Sequence, residues 1–498
     1  MKKPIIAVVS IVLSLCPWRS QKTAAGPARP SGLAGVPQEA NNRIYVQGKA
    51  YPYTESGLRS ALSDAGATAS VWVLRGQIQL TSSLRIPSNS RVYWDGVTLS
   101  SSGFDGDLVQ VTDASNVSFD GKLMIDGKGA GTATTSAGLN ITGAKNLTFS
   151  DIEIQNTLNN CMEILGSSHI RGSRVYGVNC GYPKQPGGGG DTLYIGNSHS
   201  SRAPGNDVAS SDIQISQLDA YTTGQQNCVF ISGDSAALTL RVNIDSIDAI
   251  GCADEGVEMD YCRYCNLGKV VIQGVPHEGV LLRQTFDDQI NSVSCSGEGL
   301  AICVDVARYK QVGAPPDGFS GNITIDQVIA DGVNGDPVNG AAVRVSNSDA
   351  SNRVSNVVFG QIIAVSSTRG FYCVGSRANA VQHLTLSNIE ISKSSKDGIL
   401  IVGCTDINIG TGSSYDNGQS GKNFAAVHGI DATDVALDNF RVFDDQQSKT
   451  QSYGVRIDGT SKHWTIGNVD ARDDLEIVSG FFPSSDVVRS EMPVPKSH

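Results

Sequence analysis

The chain has 498 residues, a formal net charge of −11, 17% charged residues, 6% aromatics and 55 glycines. The charge argues against a nucleic-acid partner, since phosphate binding needs a basic face. Many glycines with few charges exclude a coiled coil and general disorder, and leave a protein of many short strands and turns.

Lys2 and Lys3 precede an apolar run from Ile5 to Cys16 that is too short to span a membrane. Residues 1–25 read as a secretory signal peptide, which predicts a secreted, extracellular chain with no membrane partner. Ten cysteines remain after its removal, an even number that suits disulfides. Residues 26–45, rich in Pro, Gly and Ala, read as a linker. The segment TESGLRSALSDAG (54–66) spaces Leu58 and Leu62 as one amphipathic helix. After Gly66 the period drops to two, in VWVLRGQIQL (71–80) and RVYWDGVTL (91–99).

From there one four-residue unit returns: small, apolar, any, apolar. It appears as GLNI (138–141), CMEI (161–164), TLYI (192–195), CVFI (228–231), GVEM (256–259), GVLL (279–282) and AICV (301–304). It continues as AVRV (342–345), GFYC (370–373), GILI (398–401), GIDA (429–432) and GVRI (454–457), at steps of 22 to 41 residues. An irregular step with several short strands per unit predicts an all-β, right-handed parallel β-helix over residues 46–480, each coil covering the next. Propeller blades repeat more steadily, at ~40–45 residues, and the hairpin dipeptides of a sandwich are scarce here. The helix is expected to cap the first coil. Residues 481–498, with three prolines, read as a loose tail.

If the second and fourth residues of each unit turn inward, the residue before it, its third and the one after it turn out. Coils stacked ~4.8 Å apart make columns of these positions. The preceding column reads Asn160, Asp191, Asn227, Glu255, Glu278, Leu300; the third reads Asn140, Glu163, Tyr194, Phe230, Glu258, Leu281. The fifth reads Gly196, Ser232, Asp260, Arg283, Asp305. Long connections (181–190, 198–211, 306–321) flank this polar stretch and predict a groove for a polymer. A β-helix must cover its outer face with polar groups in any case, and Asp260, Arg283 and Asp305 also read as a plain salt-bridge ladder. Glu255, Glu258, Asp260 and Glu278 are harder to dismiss: stacked like charges repel and raise at least one pKa, from which a structural surface gains nothing.

In order along the chain, LMIDGKG (123–129), LNITGAKNLTFSDIEIQNT (139–157) and GGDTLYIGNS (189–198) resemble family 28 glycoside hydrolases, the polygalacturonases and rhamnogalacturonases of the pectin-lyase-like β-helix superfamily. Asp191 falls on the aspartate of their Asn-Thr-Asp motif. GQQNCVFISGD (224–234) lies at their Asp-Asp-Cys, with Cys228 matching and Gln226 and Asn227 replacing the acids. CADEGVEM (252–259) matches at Cys252 and sets Glu255 at the histidine; GVLLRQ (279–284) sets Leu281 and Arg283 at the Arg-Ile-Lys positions. The similarity spans about residues 120–290 and keeps one of the family's three acids.

The resemblance implies hydrolysis of a pectin-like polysaccharide. Two carboxyls ~6.5–9.5 Å apart invert, and ~5–5.5 Å apart retain, the anomeric configuration. Asp191 and Glu255 are two coils apart, ~9.6 Å by the coil rise, while Glu255 and Glu278 are one coil apart. Glu255 is therefore the expected acid, its proton held by Glu258 and Glu278, with Asp191 as the water-activating base. Arg283, with Lys184 and Arg202, is expected to hold a substrate carboxylate or hydroxyl. Asn227, Asp260 and Asp305 share the binding face, and Tyr194 and Phe230 offer rings to sugars. No cofactor is required. Lyase chemistry on the same fold would call for Ca²⁺ in the acidic cluster and Arg283 as base, which a guanidinium resists. An epimerase, a fructan transferase and a non-catalytic carbohydrate-binding or adhesive protein also remain open.

The family's corresponding cysteines imply a Cys228–Cys252 bridge. Cys262 and Cys265 form a CxxC without a nearby fourth ligand, so disulfides are expected over zinc, and no metal. Asn116, Asn140, Asn146 and Asn322 head glycosylation sequons. No catalytic histidine is expected, since His169, His199 and His277 fall off the predicted strand faces.

Overall fold

Val, Ile and Leu alternate with polar residues along nearly every strand, and the chain winds these strands into a right-handed parallel β-helix. The computed structural model describes residues 42–104, 106–127, 137–181, 190–198, 208–221, 226–234, 237–308, 319–349, 353–376, 378, 381–421, 423–471, 476–479 and 487–489. Short strands stack into a parallel sheet of 15, and longer ones into a second sheet of 21. Leu139, Met162, Leu193, Val229, Val257 and Val280 pair from coil to coil along the narrow sheet. With Ile141, Ile164, Ile195, Ile231, Met259 and Leu282 they turn inward, into one continuous core that runs from Ile44 to Val469.

Strands of the second sheet bend midway, where the alternation slips by one residue. Lys145–Gln155 buries Leu147 and Phe149, exposes Ser150 and Asp151 in part, then buries Ile152 and Ile154. The preceding corner is a ladder of asparagines at positive φ (Asn89 62°, Asn116 58°, Asn146 57°), a conformation their short polar side chains tolerate. Asn116 Nδ2 donates to Asn89 Oδ1 at 3.0 Å, and Asn146 Nδ2 to Asn116 Oδ1 at 3.2 Å.

The helix Glu55–Ala65 begins at Thr54, whose Oγ1 accepts the Gly57 N–H at 3.2 Å. It buries Leu58, Ala61 and Leu62 against the strands Ile44–Val46 and Ser70–Leu80. Glu55 fastens it to the first coil by accepting the Thr81 N–H and hydroxyl, both at 2.7 Å. No helix among the described residues is long and apolar enough to cross a membrane.

The strand pairing corrects two sequence units. Val304 pairs with Val280 and Val343, so the unit is CVDV (303–306) rather than AICV. Asp305 therefore belongs to the third column beside Leu281, and Ile302, not Leu300, occupies the preceding one. A two-residue slip keeps the inward and outward faces, so alternation alone does not expose it. Val427 pairs with Ile399, which makes the later unit AVHG (426–429) rather than GIDA. Gly429 takes the apolar fourth place because Trp464 fills it: a Cβ there would lie 2.2 Å from Trp464 Cζ2. The ends also differ from expectation. The strand Ile44–Val46 begins within the last two residues of the expected linker, and Val487–Arg489, inside the expected tail, pairs with Trp464–Ile466.

Disulfides join Cys161–Cys180, Cys228–Cys252, Cys295–Cys303 and Cys373–Cys404. Cys262 and Cys265 are buried and unbridged, contrary to the disulfide expected of them. Each thiol is turned to a backbone carbonyl instead, Cys262 Sγ to Ile231 O at 3.1 Å and Cys265 Sγ to Arg263 O at 3.7 Å.

Candidate functional site

The narrow sheet presents its outward columns in register, with Glu163, Tyr194, Phe230, Glu258 and Leu281 on successive coils. Asn160, Asp191, Asn227, Glu255 and Glu278 stand beside them in the preceding column. Two asparagines organise the acids. Asn160 Oδ1 accepts the Gly190 and Asp191 N–H groups at 3.0 and 2.9 Å, while its Nδ2 donates to Glu163 at 3.0 Å. Asn227 Oδ1 accepts the Glu255 N–H at 3.1 Å, and its Nδ2 donates to Glu258 at 2.6 Å.

Two arginines supply the positive charge. Arg283 pairs with Glu258 and, at 3.0 Å, with Asp260. Arg344 grips Asp305 with a fork of 3.0 and 2.6 Å and reaches Glu278 at 3.4 Å. Acids still outnumber these cations, and the carboxyls respond. Burial pushes Asp191, 2% exposed, well above the usual carboxylate range, and the Glu258 charge adds to it. Burial, then Asp254, Glu258 and Glu278, raise Glu255 to about 8. Glu278 rises to about 7 through burial and Asp305, opposed by Arg344. Glu163 rises to about 7 through burial and Asp107, and Asp260 to about 6 through burial against the pull of Arg283. Glu258 is raised by burial too, with Arg283 and Asn227 opposing. The face thus keeps neutral carboxyls beside ionised ones. Glu255, only partly covered, is a neutral acid that a ligand can reach.

Asp191, Asn227, Glu255, Glu258, Asp260, Glu278 and Arg283 come together on this face. Asp305, expected to line it beside Arg283, is 0% exposed and pairs with Arg344 instead. Tyr194 and Phe230 stack on each other at 5.3 Å and 22°, so each spends one ring face on the other, and burial with Asp191 lifts the Tyr194 hydroxyl to about 12. Lys184 and Arg202 lie outside the described residues. The sequons Asn116, Asn140, Asn146 and Asn322 all use Nδ2, the atom a glycan would take, as a donor to a neighbouring coil.

Asn160, Glu163, Asp254 and Arg344 were not among the expected site residues. Arg344 had a signal in the sequence: it is the third residue of AVRV, and the corrected unit at 303 sets it directly beside Asp305. A histidine also lies on the strand face after all. His428, 8% exposed, holds Nδ1 3.4 Å from Asp397 and Nε2 3.2 Å from Asp458, which in turn pairs with Arg456 at 2.8 Å.

No protein-family model matches the chain, and no curated protein matches it. Among solved structures it is similar to the A-module of the Azotobacter vinelandii mannuronan C-5 epimerase AlgE6, at 13% identity and TM-score 0.40, over 89% of this chain and 95% of that one. It is similar to PfbA, a surface adhesin of Streptococcus pneumoniae, at 12% identity and TM-score 0.39, over 89% and 92%. The Dettilon tailspike protein aligns at 12% identity and TM-score 0.31, over 85% and 64%. The fold assignment rests on this chain's own strand pairing, that of a right-handed parallel β-helix.

Proposed function

We propose that this face hydrolyses glycosidic bonds of a secreted protein's polysaccharide substrate, pectin-like in class, with Glu255 as the acid. The observation that carries the reading is a reachable carboxyl that keeps its proton to about pH 8, one coil from a second carboxyl tied to a cation. Glu255 protonates the leaving glycosidic oxygen as the C1–O bond breaks. Glu278, whose charged form Arg344 favours, attacks C1, and its distance of one coil rise, ~4.8 Å, suits retention. In the second half Glu255 takes a proton from water, and the resulting hydroxide releases the sugar from Glu278. Asp191 is covered and holds its proton, so the water-activating role passes from it to the Glu255–Glu278 pair. Arg283 keeps Glu258 and Asp260 in place and is a cation near the reacting pair for a substrate carboxylate or hydroxyl. Support for a sugar polymer comes from the resemblance over about residues 120–290 and from the length of the outward columns. The signal-like N-terminus and four disulfides support secretion.

The test is the purified chain on pectin, homogalacturonan and fructan, with new reducing ends and unsaturated-uronate absorbance recorded together. Reducing ends without absorbance, lost in Glu255→Gln, are expected, and the first product should keep its anomeric configuration. Absorbance would make the protein a lyase. A second reading, a carbohydrate-binding protein without turnover, is favoured by the burial and full engagement of Glu163 and Glu258. Retention on the polymer with silence in both channels would establish it.

A further inference from the structure

Three coils beyond Glu278, in the same column, stands Arg369. The separation is ~14 Å at the usual coil rise. Arg369 is 7% exposed. Its Nη1 donates to Val338 O at 2.8 Å, its guanidinium lies 4.8 Å over the Tyr372 ring, and its buried Nε has no hydrogen-bond partner. Among the described residues no carboxylate pairs with it. By contrast, Arg283 and Arg344 each hold two acids. Asp397 and Asp336 act on Arg369 only from beyond ion-pair distance. A buried guanidinium without a paired counter-charge is costly, so such a group persists where something else completes the pairing.

The next coil adds a second cation. The Lys396 N–H bonds to Thr368 O at 3.0 Å, so Lys396 and Arg369 rise from neighbouring coils. Burial lowers both groups, and the charge of Arg369 lowers Lys396 further. Asp397 and Asp336 are nearby but already committed: Asp397 accepts the Ala425 N–H at 2.7 Å and faces His428, and Asp336 accepts the Val338 and Asn339 N–H groups at 2.7 and 3.0 Å. Val338, 63% exposed, and the Tyr372 ring border the pair with apolar surface suited to the carbon face of a sugar.

We propose that Arg369 and Lys396 form an anion site that takes a carboxylate of an acidic polysaccharide lying along the face. The site deepens the reading of this face as a polysaccharide groove, and rests on it, by giving the polymer a charge and a position about three coils from the reacting bond. Apolar borders and a shared column favour a sugar-borne carboxylate over a free anion.

Binding separates the site from turnover. Hexagalacturonate and its neutral methyl ester would be titrated calorimetrically into the full chain carrying Glu255→Gln, with sodium sulfate as a third ligand. The acid should bind about tenfold or more tighter than the ester, the worth of one charge-assisted contact. Lys396→Gln and Arg369→Gln should each remove that preference and leave ester binding unchanged. Lys396 is partly exposed, so its variant decides the matter if Arg369→Gln fails to fold. Equal binding of acid and ester, or an undiminished preference in Lys396→Gln, would overturn the proposal. Arg369-dependent sulfate binding without a preference for acid over ester would mark a free-anion site and overturn the polysaccharide assignment. Failure of the hydrolase reading would appear separately, as absent reducing ends in the unsubstituted chain.

Discussion

Asn160 and Asn227 stand two coils apart in one column and make the same pair of bonds: each accepts a backbone N–H of the following coil and donates its amide to a buried glutamate. The side chain acts as a clasp that sets the coil spacing and orients an acid at once. Replacing Asn227 with Leu leaves the Glu255 N–H and one Glu258 oxygen unpaired, and should cost about 2–3 kcal/mol in a denaturant melt. Asn227→Asp should be milder at acid pH, where the new carboxyl can still donate, and worse at alkaline pH, where it faces Glu258 as a like charge.

The raised carboxyls make stability depend on pH in a definite direction. Glu255 moves from 4.5 to about 8 and Glu278 from 4.5 to about 7 on folding. Groups raised in the folded state contribute stability that is fully present below their unfolded pKa and lost as pH rises through the folded one. The unfolding free energy should therefore fall between pH 4.5 and about 8, and Glu255→Gln should flatten the slope. A chemical denaturation series across that range reads both, and a stability that rises with pH would refute the assignment.

Gly429 sits where the other described coils place an apolar side chain, because the Trp464 ring occupies the space. Gly429→Ala should destabilise by about 1–3 kcal/mol through overpacking. The double variant with Trp464→Leu should cost less than the two single changes summed, which thermal melts of the four proteins would measure.

His428 lies on the outer face between Asp397 and Asp458. His428→Leu takes a partner from a buried carboxylate and should cost about 1–3 kcal/mol. Turnover at Glu255 should be unaffected, a contrast that stability and reducing-end assays on one preparation would read.

Alternation and the small-apolar-any-apolar unit carry the fold, because each coil repeats the same demand: two side chains in, the rest out. The same logic placed Asp191, Asn227, Glu255, Glu258, Glu278 and Arg283 on one face. It failed where another element changed the demand. Trp464, from a different strand, let Gly429 stand for an apolar residue, and that hid His428. The apolar run Ile302, Val304, Val306 offered two registers of equal parity, and only pairing with Val280 and Val343 chose between them, moving Asp305 under Arg344. Burial is not written in the pattern either. Outward in a column meant reachable for Glu255, but covered for Asp191.

The step from Val343 to Phe371 is one full coil, lying between the acids and Arg369. Because each coil touches only its neighbours, such a unit is a modular spacer. Its duplication would move the acids away from Arg369 by one rung, ~4.8 Å, and leave the one-coil spacing of Glu255 and Glu278 intact. The distance between cutting point and charge-sensing point would then be counted in whole coils, a ruler that can be lengthened without redesigning either mark.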